Sequence, residues 1–371
     1  MPYRLKLLKN TMQKKINMVW QYAKTSSFYL REEKKAFFFI MLSVFRAHSR
    51  YGISPLLYSY YRLENIPESE WGEYIVDQNK FNKILAGNSS VEVRREVGNK
   101  LRFYQHCIKN NLPIVPVYCV FSDSQDLTVD GVESVSNLNK WQEILSRLPK
   151  ELFIKPVLGR SGMGSFAVVR ESDRLRFSGR TGSVEDLYRY LMERVKSGKS
   201  FLVQPNLRTH SSLMDIVSSH GLSTVRVVTI RGDDKPQIIM ACFKIIRGNN
   251  EHDNFSKGMS NNLIVPINID TGKFKQAWGS LRSDWPQMVQ YALHPDTGKQ
   301  IEGIILPFWH EICELALRAQ KSVPLLPTIG WDIALTNNGV FIVEANTAYD
   351  AATFQLFEGR GFKSEFERLL K

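Results

Sequence analysis

The sequence has few cysteines, and they are scattered. Cys107, Cys119, Cys242 and Cys313 form no CxxC pair, and no histidines stand at metal-ligand spacing. This excludes a zinc ribbon and gives no sign of a disulfide framework. Dispersed thiols fit a reducing cytoplasm, where free cysteine behaves as a small apolar residue. A membrane-spanning run is also missing. The longest apolar stretch, Ala36 to Phe45, is broken by Ser43, whereas about 18 apolar residues are needed to cross a bilayer. That stretch begins too far in, behind too many charges, for a typical secretory signal. The expectation is a cytoplasmic protein. Internal repeats and low-complexity tracts are absent.

What is present is ordinary globular composition, 43% hydrophobic and 23% charged over 371 residues, enough for two or three packed units. The net charge of +12 is unevenly spread. Eleven Lys and Arg against Glu32 and Glu33 give residues 1–50 a charge of +9, interleaved with Trp20, Tyr22, Phe28, Tyr29 and Phe37 to Phe39. Such a segment suits an anionic surface, here the inner face of a membrane. A solvated helix face is the alternative, and nucleic acid is the least favoured partner.

Residues 1–95 read as a basic, mainly helical region, closed by the small polar stretch Ala86 to Ser90. Helical and strand-like segments then alternate. Asn99 to Lys109, Trp141 to Leu148 and Val184 to Lys196 read as helices; Val115 to Phe121, Leu152 to Lys155, Phe166 to Arg170 and Phe201 to Gln204 read as strands. β-branched runs dominate later, at 224–231, 237–246, 263–269, 329–335 and 340–344, with helices over Phe308 to Lys321 and Lys363 to Leu370. The expected class is α+β or α/β, in units 1–95, 96–204 and 205–371.

Two constellations carry chemistry. In Phe153-Ile-Lys155-Pro-Val-Leu-Gly159-Arg-Ser161-Gly162-Met-Gly164, closely spaced glycines let backbone amides approach phosphate oxygens, and Lys155 supplies a compensating charge. The loop runs from strand to strand, which predicts a hairpin flap rather than a P-loop; a plain glycine-rich hairpin has the same pattern. The second constellation is Ile329 to Leu335 followed by Val340 to Asn346, two strands of a hairpin. Glu344 and Asn346 leave the same face, and a carboxylate buried after four apolar residues needs a partner. A three-residue loop, Asn337-Asn338-Gly339, would set Asp332 opposite Glu344, and three oxygen donors on one face suit Mg²⁺. A half-exposed hairpin with its polar residues outward is the alternative.

Together with Gly52-Ile-Ser-Pro55, Asn99-Lys100, Phe201-Leu-Val-Gln204, Ser223-Thr-Val-Arg226, Asp253 to Gly258, His294-Pro-Asp-Thr-Gly298, Gly330-Trp-Asp332 and Glu344-Ala-Asn346, these features resemble the ATP-grasp superfamily. The resemblance is to its group associated with sugar transfer in bacterial polysaccharide gene clusters, and it runs from about Tyr51 to Phe354. It implies two α+β lobes clasping ATP, with Lys100 and Lys155 on phosphates and Gly159, Ser161, Gly162 and Gly164 in the closing flap. Gln204, Pro205, Asn206 and Leu207 would form the adenine hinge. Asp332, Glu344 and Asn346 would hold magnesium, two ions in all. Arg226, with Lys244 and Arg247, would stabilise the transferring phosphoryl group, although a structural ion pair is an alternative for each. His294 is either an acceptor-site residue or a turn residue. The implied reaction is an ATP-dependent, ADP-forming carboxylate–amine ligation through an acyl phosphate, joining an amino acid or amino sugar in envelope polysaccharide synthesis. A phosphotransferase with a hydroxyl acceptor, or a nucleotide-binding module of membrane glycosylation machinery, are the alternatives.

Overall fold

The computed structural model describes residues 20–25, 27, 37–87, 89–122, 129, 131–135, 137–159, 162–171, 174–217 and 221–369. The expected helical region is present in the described part, as α1 (Phe37–Tyr51), α2 (Pro55–Tyr61), α3 (Gln78–Ala86) and α4 (Val91–Gly98). The expected aromatics Phe28 and Tyr29 lie outside the described residues. Caps define the starts: Ser54 accepts from the Leu57 amide, Asp77 from Asn79 and Lys80, and Ser90 from Val93. Asn99 does the same for α5 (Lys100–Lys109), accepting from Leu101 and Arg102. Lys100 is thereby fixed at the first turn.

Two seven-stranded sheets follow. The first contains β1 (Cys119–Phe121), β2 (Glu133–Val135), β3 (Glu151–Pro156), β4 (Phe166–Glu171), β5 (Arg174–Phe177), β6 (Arg180–Gly182) and β7 (Phe201–Pro205), in the order β2-β1-β7-β3-β4-β5-β6. Side-chain alternation divides its faces. Leu152, Ile154, Phe166, Val168, Phe201 and Val203 pack under α6 (Leu138–Arg147) and α7 (Val184–Lys196). Phe153, Lys155, Ala167 and Gln204 leave the opposite face and line a cavity. β3 and β4 form the expected antiparallel hairpin around the glycine loop.

The second sheet, all antiparallel, has the order β12-β11-β10-β9-β8-β13-β14. Its strands are β8 (Thr224–Ile230), β9 (Gln237–Ile245), β10 (Leu263–Pro266), β11 (Ala277–Ser280), β12 (Met288–Tyr291), β13 (Thr328–Thr336) and β14 (Gly339–Asn346). Val225, Val227, Phe243, Ile329, Trp331 and Ile333 join the main core with α8 (Trp309–Ser322). The other face carries Arg226, Lys244, Asp332 and Glu344, and towards β12 it packs Cys242, Ile264, Trp278 and Met288 against α1 and α2. Short strands β5, β6, β11 and β12 were outside the sequence expectation; each has three or four residues and too few alternations to register. The chain ends in α9 (Ala351–Glu358) and α10 (Lys363–Leu369).

The β13–β14 hairpin differs from expectation in its loop and agrees in its outcome. Thr336 pairs with Gly339, so the loop is the two-residue Asn337-Asn338, one residue shorter than expected. Up to Ile333↔Ile342 that register would miss the target. A β-bulge between Asp332 and Ile333 on one strand, with Val343 as the extra residue on the other, restores Asp332↔Glu344 and Gly330↔Asn346.

β13 is locked to its neighbours by a buried chain of hydrogen bonds. The Trp331 indole donates to Thr229 Oγ1 at 2.8 Å, and that hydroxyl donates to Gln320 Oε1 at 2.7 Å. Thr229→Val removes the hydroxyl and orphans both partners. The expected loss is about 3 kcal/mol of unfolding free energy in urea titration, and a loss under about 1 kcal/mol would show the chain to be incidental.

Candidate functional site

A cavity of about 430 Å³ lies between the polar faces of the two sheets, bounded by Lys100 of α5, the glycine loop and residues 251–257. Its floor is one cross-strand row. Glu344, Asp332, Arg226 and Cys242 stand directly opposite one another on β14, β13, β8 and β9, so all four share a face. Lys244 sits two residues along β9 from Cys242, on the same face.

Buried charges need partners, and the row provides them. Arg226 donates to Asp332 through Nε (2.8 Å) and Nη2 (2.9 Å), a bidentate fork. Lys244 Nζ lies 2.9 Å from Asp332 Oδ1 and 3.1 Å from Asp253 Oδ2, and Thr224 donates to the same Asp253 oxygen. Asn346 Nδ2 donates to Asp332 Oδ2 at 3.2 Å and to Glu344 Oε1 at 3.3 Å. Gly330, next to Asp332, keeps the space open: a Cβ there would meet Arg226 Cδ at 3.2 Å.

Burial alone would neutralise these groups, but the opposite charges outweigh it. Asp332 is held far below the usual carboxylate range by Arg226 and Lys244; Arg226 is raised by Asp332, and Lys244 by Asp253 and then Asp332. Lys155 has no such partner. Burial lowers it to about 8, Glu344 opposes that shift, and Lys100 adds to it. Among the described residues its Nζ donates to the Val343 carbonyl alone, at 3.4 Å, while Lys100 donates to the Gly159 carbonyl at 3.0 Å and stands 3.9 Å from Glu344.

The structure thus gathers most of the expected residues. Lys100, Lys155, Gly159, Gly162, Gln204, Pro205, Asn206, Leu207, Arg226, Lys244, Asp332, Glu344 and Asn346 all line the cavity. Gly164 stays in the flap, at φ +80°, behind the lining. Ser161 lies outside the described residues. Arg247 is drawn off: its guanidinium pairs with Asp296 and donates to Asn261, away from the cavity wall. His294 takes the turn role, its Nδ1 accepting from the amides of Asp296 and Thr297. Gln204 commits its side chain to the Val115 carbonyl, at 3.1 Å. Asp253 had no assigned role; its only signal was a place in a familiar block, because its partner Lys244 is on another element.

Among the described residues no cluster of three or more His, Cys, Asp and Glu is placed to hold a metal. Of the three expected ligands, Glu344 and the Asn346 amide oxygen are the hard oxygen donors with positions left, the kind magnesium takes, and Asn346 ties both to Asp332. Asp332 is the most committed of the three, with four contacts to Arg226, Lys244 and Asn346. Glu344 keeps open acceptor positions. Asp332→Asn should therefore act on stability as well as chemistry: leaving Arg226 and Lys244 under-compensated costs roughly 3–5 kcal/mol, read as a lower thermal midpoint. An unchanged midpoint would remove Asp332 as the counterion of the cluster.

With this geometry in place, the comparisons are informative. The sequence profile described as sugar-transfer associated ATP-grasp matches residues 84–371. No curated protein matches the chain. Among solved structures, the D-alanine-D-alanine ligase from Coxiella burnetii is 13% identical at a TM-score of 0.41, covering 76% of this chain and 58% of that one. The biotin carboxylase from Campylobacter jejuni, solved as its β-γ-ATP complex, is 13% identical at 0.46, covering 79% and 51%. D-cycloserine synthetase DcsG is 12% identical at 0.44, covering 86% and 82%. The chain spans about half the length of the first solved structures it matches. The profile covers most of the chain and includes both sheets and every cavity-lining residue described above. The chain belongs to the sugar-transfer associated ATP-grasp family.

Proposed function

We propose that this protein is an ATP-dependent, ADP-forming carboxylate–amine ligase, with a sugar or sugar-linked precursor of envelope polysaccharide among its substrates. The observation that carries the reading is the meeting of four cations, Lys100, Lys155, Arg226 and Lys244, with Glu344 and Asn346 in one cavity between two sheets. In this reading residues 96–204 and 205–371 are the two lobes, and residues 1–95 pack beside them. Gln204 to Leu207 offer backbone groups to adenine, Lys100 and Lys155 hold phosphates, and the Gly159–Gly164 loop closes over them. Glu344 and Asn346 would hold magnesium, with Asp332 behind them fixing Asn346 and Arg226, and the metal would supply charge to offset that of the phosphates.

The chain's own part in the chemistry is positioning and charge. A substrate carboxylate oxygen attacks the γ-phosphorus and ADP leaves, giving an acyl phosphate. An amine nitrogen then attacks the acyl carbon, phosphate leaves, and the amine sheds a proton. Arg226 and Lys244, kept cationic by Asp332, stabilise the charge on the transferring group. The family description supports the sugar link, and the charge of +9 on residues 1–50 supports attraction to an anionic membrane surface.

Three outcomes test this. Glu344→Gln should keep the wild-type thermal midpoint while ADP release in magnesium falls by about 100-fold or more; near-native release would end the metal assignment. With ATP, hydroxylamine and a panel of amino and sugar acids, the enzyme should yield a hydroxamate; a phosphorylated product without one would favour the phosphotransferase. Lys155 in the free protein loses its charge as pH rises through about 8. ATP affinity, measured calorimetrically, should weaken across that range, and Lys155→Met should flatten the dependence.

A further inference from the structure

Helix α1 has two apolar faces, and among the described residues only one of them is packed into a core. At 100° per residue, Ile40, Ser43, Val44 and Ala47 share one side, and all four are buried, the apolar three in the core shared with α2 and the second sheet. Phe38, Leu42 and Phe45, at spacings of four and three, share the opposite side and are 72%, 59% and 54% exposed. Phe39 (64%) borders them, and Trp20 (61%) lies on the preceding described segment, whose Tyr22 ring meets Phe45 edge-on at 6.5 Å. Isolated exposed apolar residues are ordinary; four large ones along adjoining turns of α1, with Trp20 exposed on the segment beside it, are a patch that calls for a partner.

The charge beside the patch selects the partner. Arg46 and Arg50 stand at its C-terminal end, both against the single carboxylate of Glu68, and Lys24, 5.1 Å from the Trp20 ring centroid, pairs with Asp284. Residues 1–50 carry most of the chain's net positive charge. A protein partner would have to match a flat phenylalanine–leucine stripe with an acidic rim. An anionic bilayer offers both requirements at once, acyl chains for the rings and phosphates for the cations. No helix among the described residues is long and apolar enough to cross a membrane, so the mode available to α1 is lying in the interface.

We infer that the outer face of α1 inserts Phe38, Phe39, Leu42 and Phe45, with Trp20, into the headgroup region of an anionic phospholipid bilayer. This rests on the membrane attraction proposed above and goes beyond it, because charge alone recruits reversibly whereas inserted rings hold. α1 packs through its inner face in one core with Cys242 and Ile264, which also line the cavity, so the patch and the cavity belong to the same side of the second sheet.

The test uses the full chain and sedimentation with vesicles of phosphatidylcholine alone or with about one-third phosphatidylglycerol, at low and high salt. Wild type should bind the anionic vesicles, retain part of that binding in high salt, and be joined there by little of the triple variant Phe38→Ser, Leu42→Ser, Phe45→Ser. That variant should bind about tenfold more weakly at low salt with an unchanged thermal midpoint, since the positions are exposed. Equal binding of variant and wild type, abolished by salt in both, would overturn insertion and leave charge attraction standing. Equal binding to neutral and anionic vesicles, or none, would overturn the attraction itself. A wild-type dimer that the triple variant converts to monomer, without vesicle binding, would reassign the patch as an interface between copies of this chain.

Discussion

The site depends on the three-way contact of Asp332 with Arg226 and Lys244. Asp332 and Lys244 are buried and Arg226 half-buried on interior strands of a sheet whose other face packs the main core, and none is tolerable there alone. Asp332 offers two oxygens with four acceptor positions, and all four are taken. The strands must therefore be in one register, with Arg226 directly opposite Asp332 and Glu344 on its other flank. A slip of one residue would send a carboxylate into the main core beside Trp331 and leave two cations unpaired. The register is enforced where the chemistry requires it.

The surrounding structure serves that register. The Trp331–Thr229–Gln320 hydrogen bonds tie β13 to β8 and α8 from behind. Residues 113–115 run along the free edge of β14, with the Val115 and Ile342 amides donating to the Ile342 and Pro113 carbonyls. The same segment leads into β1 of the first sheet, so the strand that carries Glu344 is covered by the connection between the sheets. Lys100, from the start of α5, and Lys155, from the first sheet, then approach Glu344, where their charges meet the second sheet's carboxylates across the cavity. The cost of crowding cations falls on Lys155, whose ammonium is the least compensated.

Much of this was legible in the sequence. Strand periodicity placed Lys155, Arg226, Asp332 and Glu344 on strands, and the helical reading of Asn99 to Lys109 placed Lys100 at a helix start. The glycine loop read as strand-to-strand because no GK[ST] motif followed it. The failures have physical reasons. The bulge at Val343 leaves no mark in a run of apolar residues, so a three-residue loop and a two-residue loop with a bulge predict the same Asp332–Glu344 pairing. Arg247 looked equivalent to Lys244 from spacing alone; its partner Asp296 lies on a distant turn, and long-range ion pairs carry no local signal. Asp253 escaped for the same reason. Short strands such as β11 and β12 are held by pairing within the sheet rather than by their own pattern.

The central claim is that nucleotide is clasped between the two sheets, and amide hydrogen exchange with and without magnesium and ATP tests it without knowing the other substrates. Exchange should slow on addition of nucleotide in three separated segments together: residues 153–167, 201–207 and 339–346. Slowing confined to one sheet, or located away from these segments, would contradict the account.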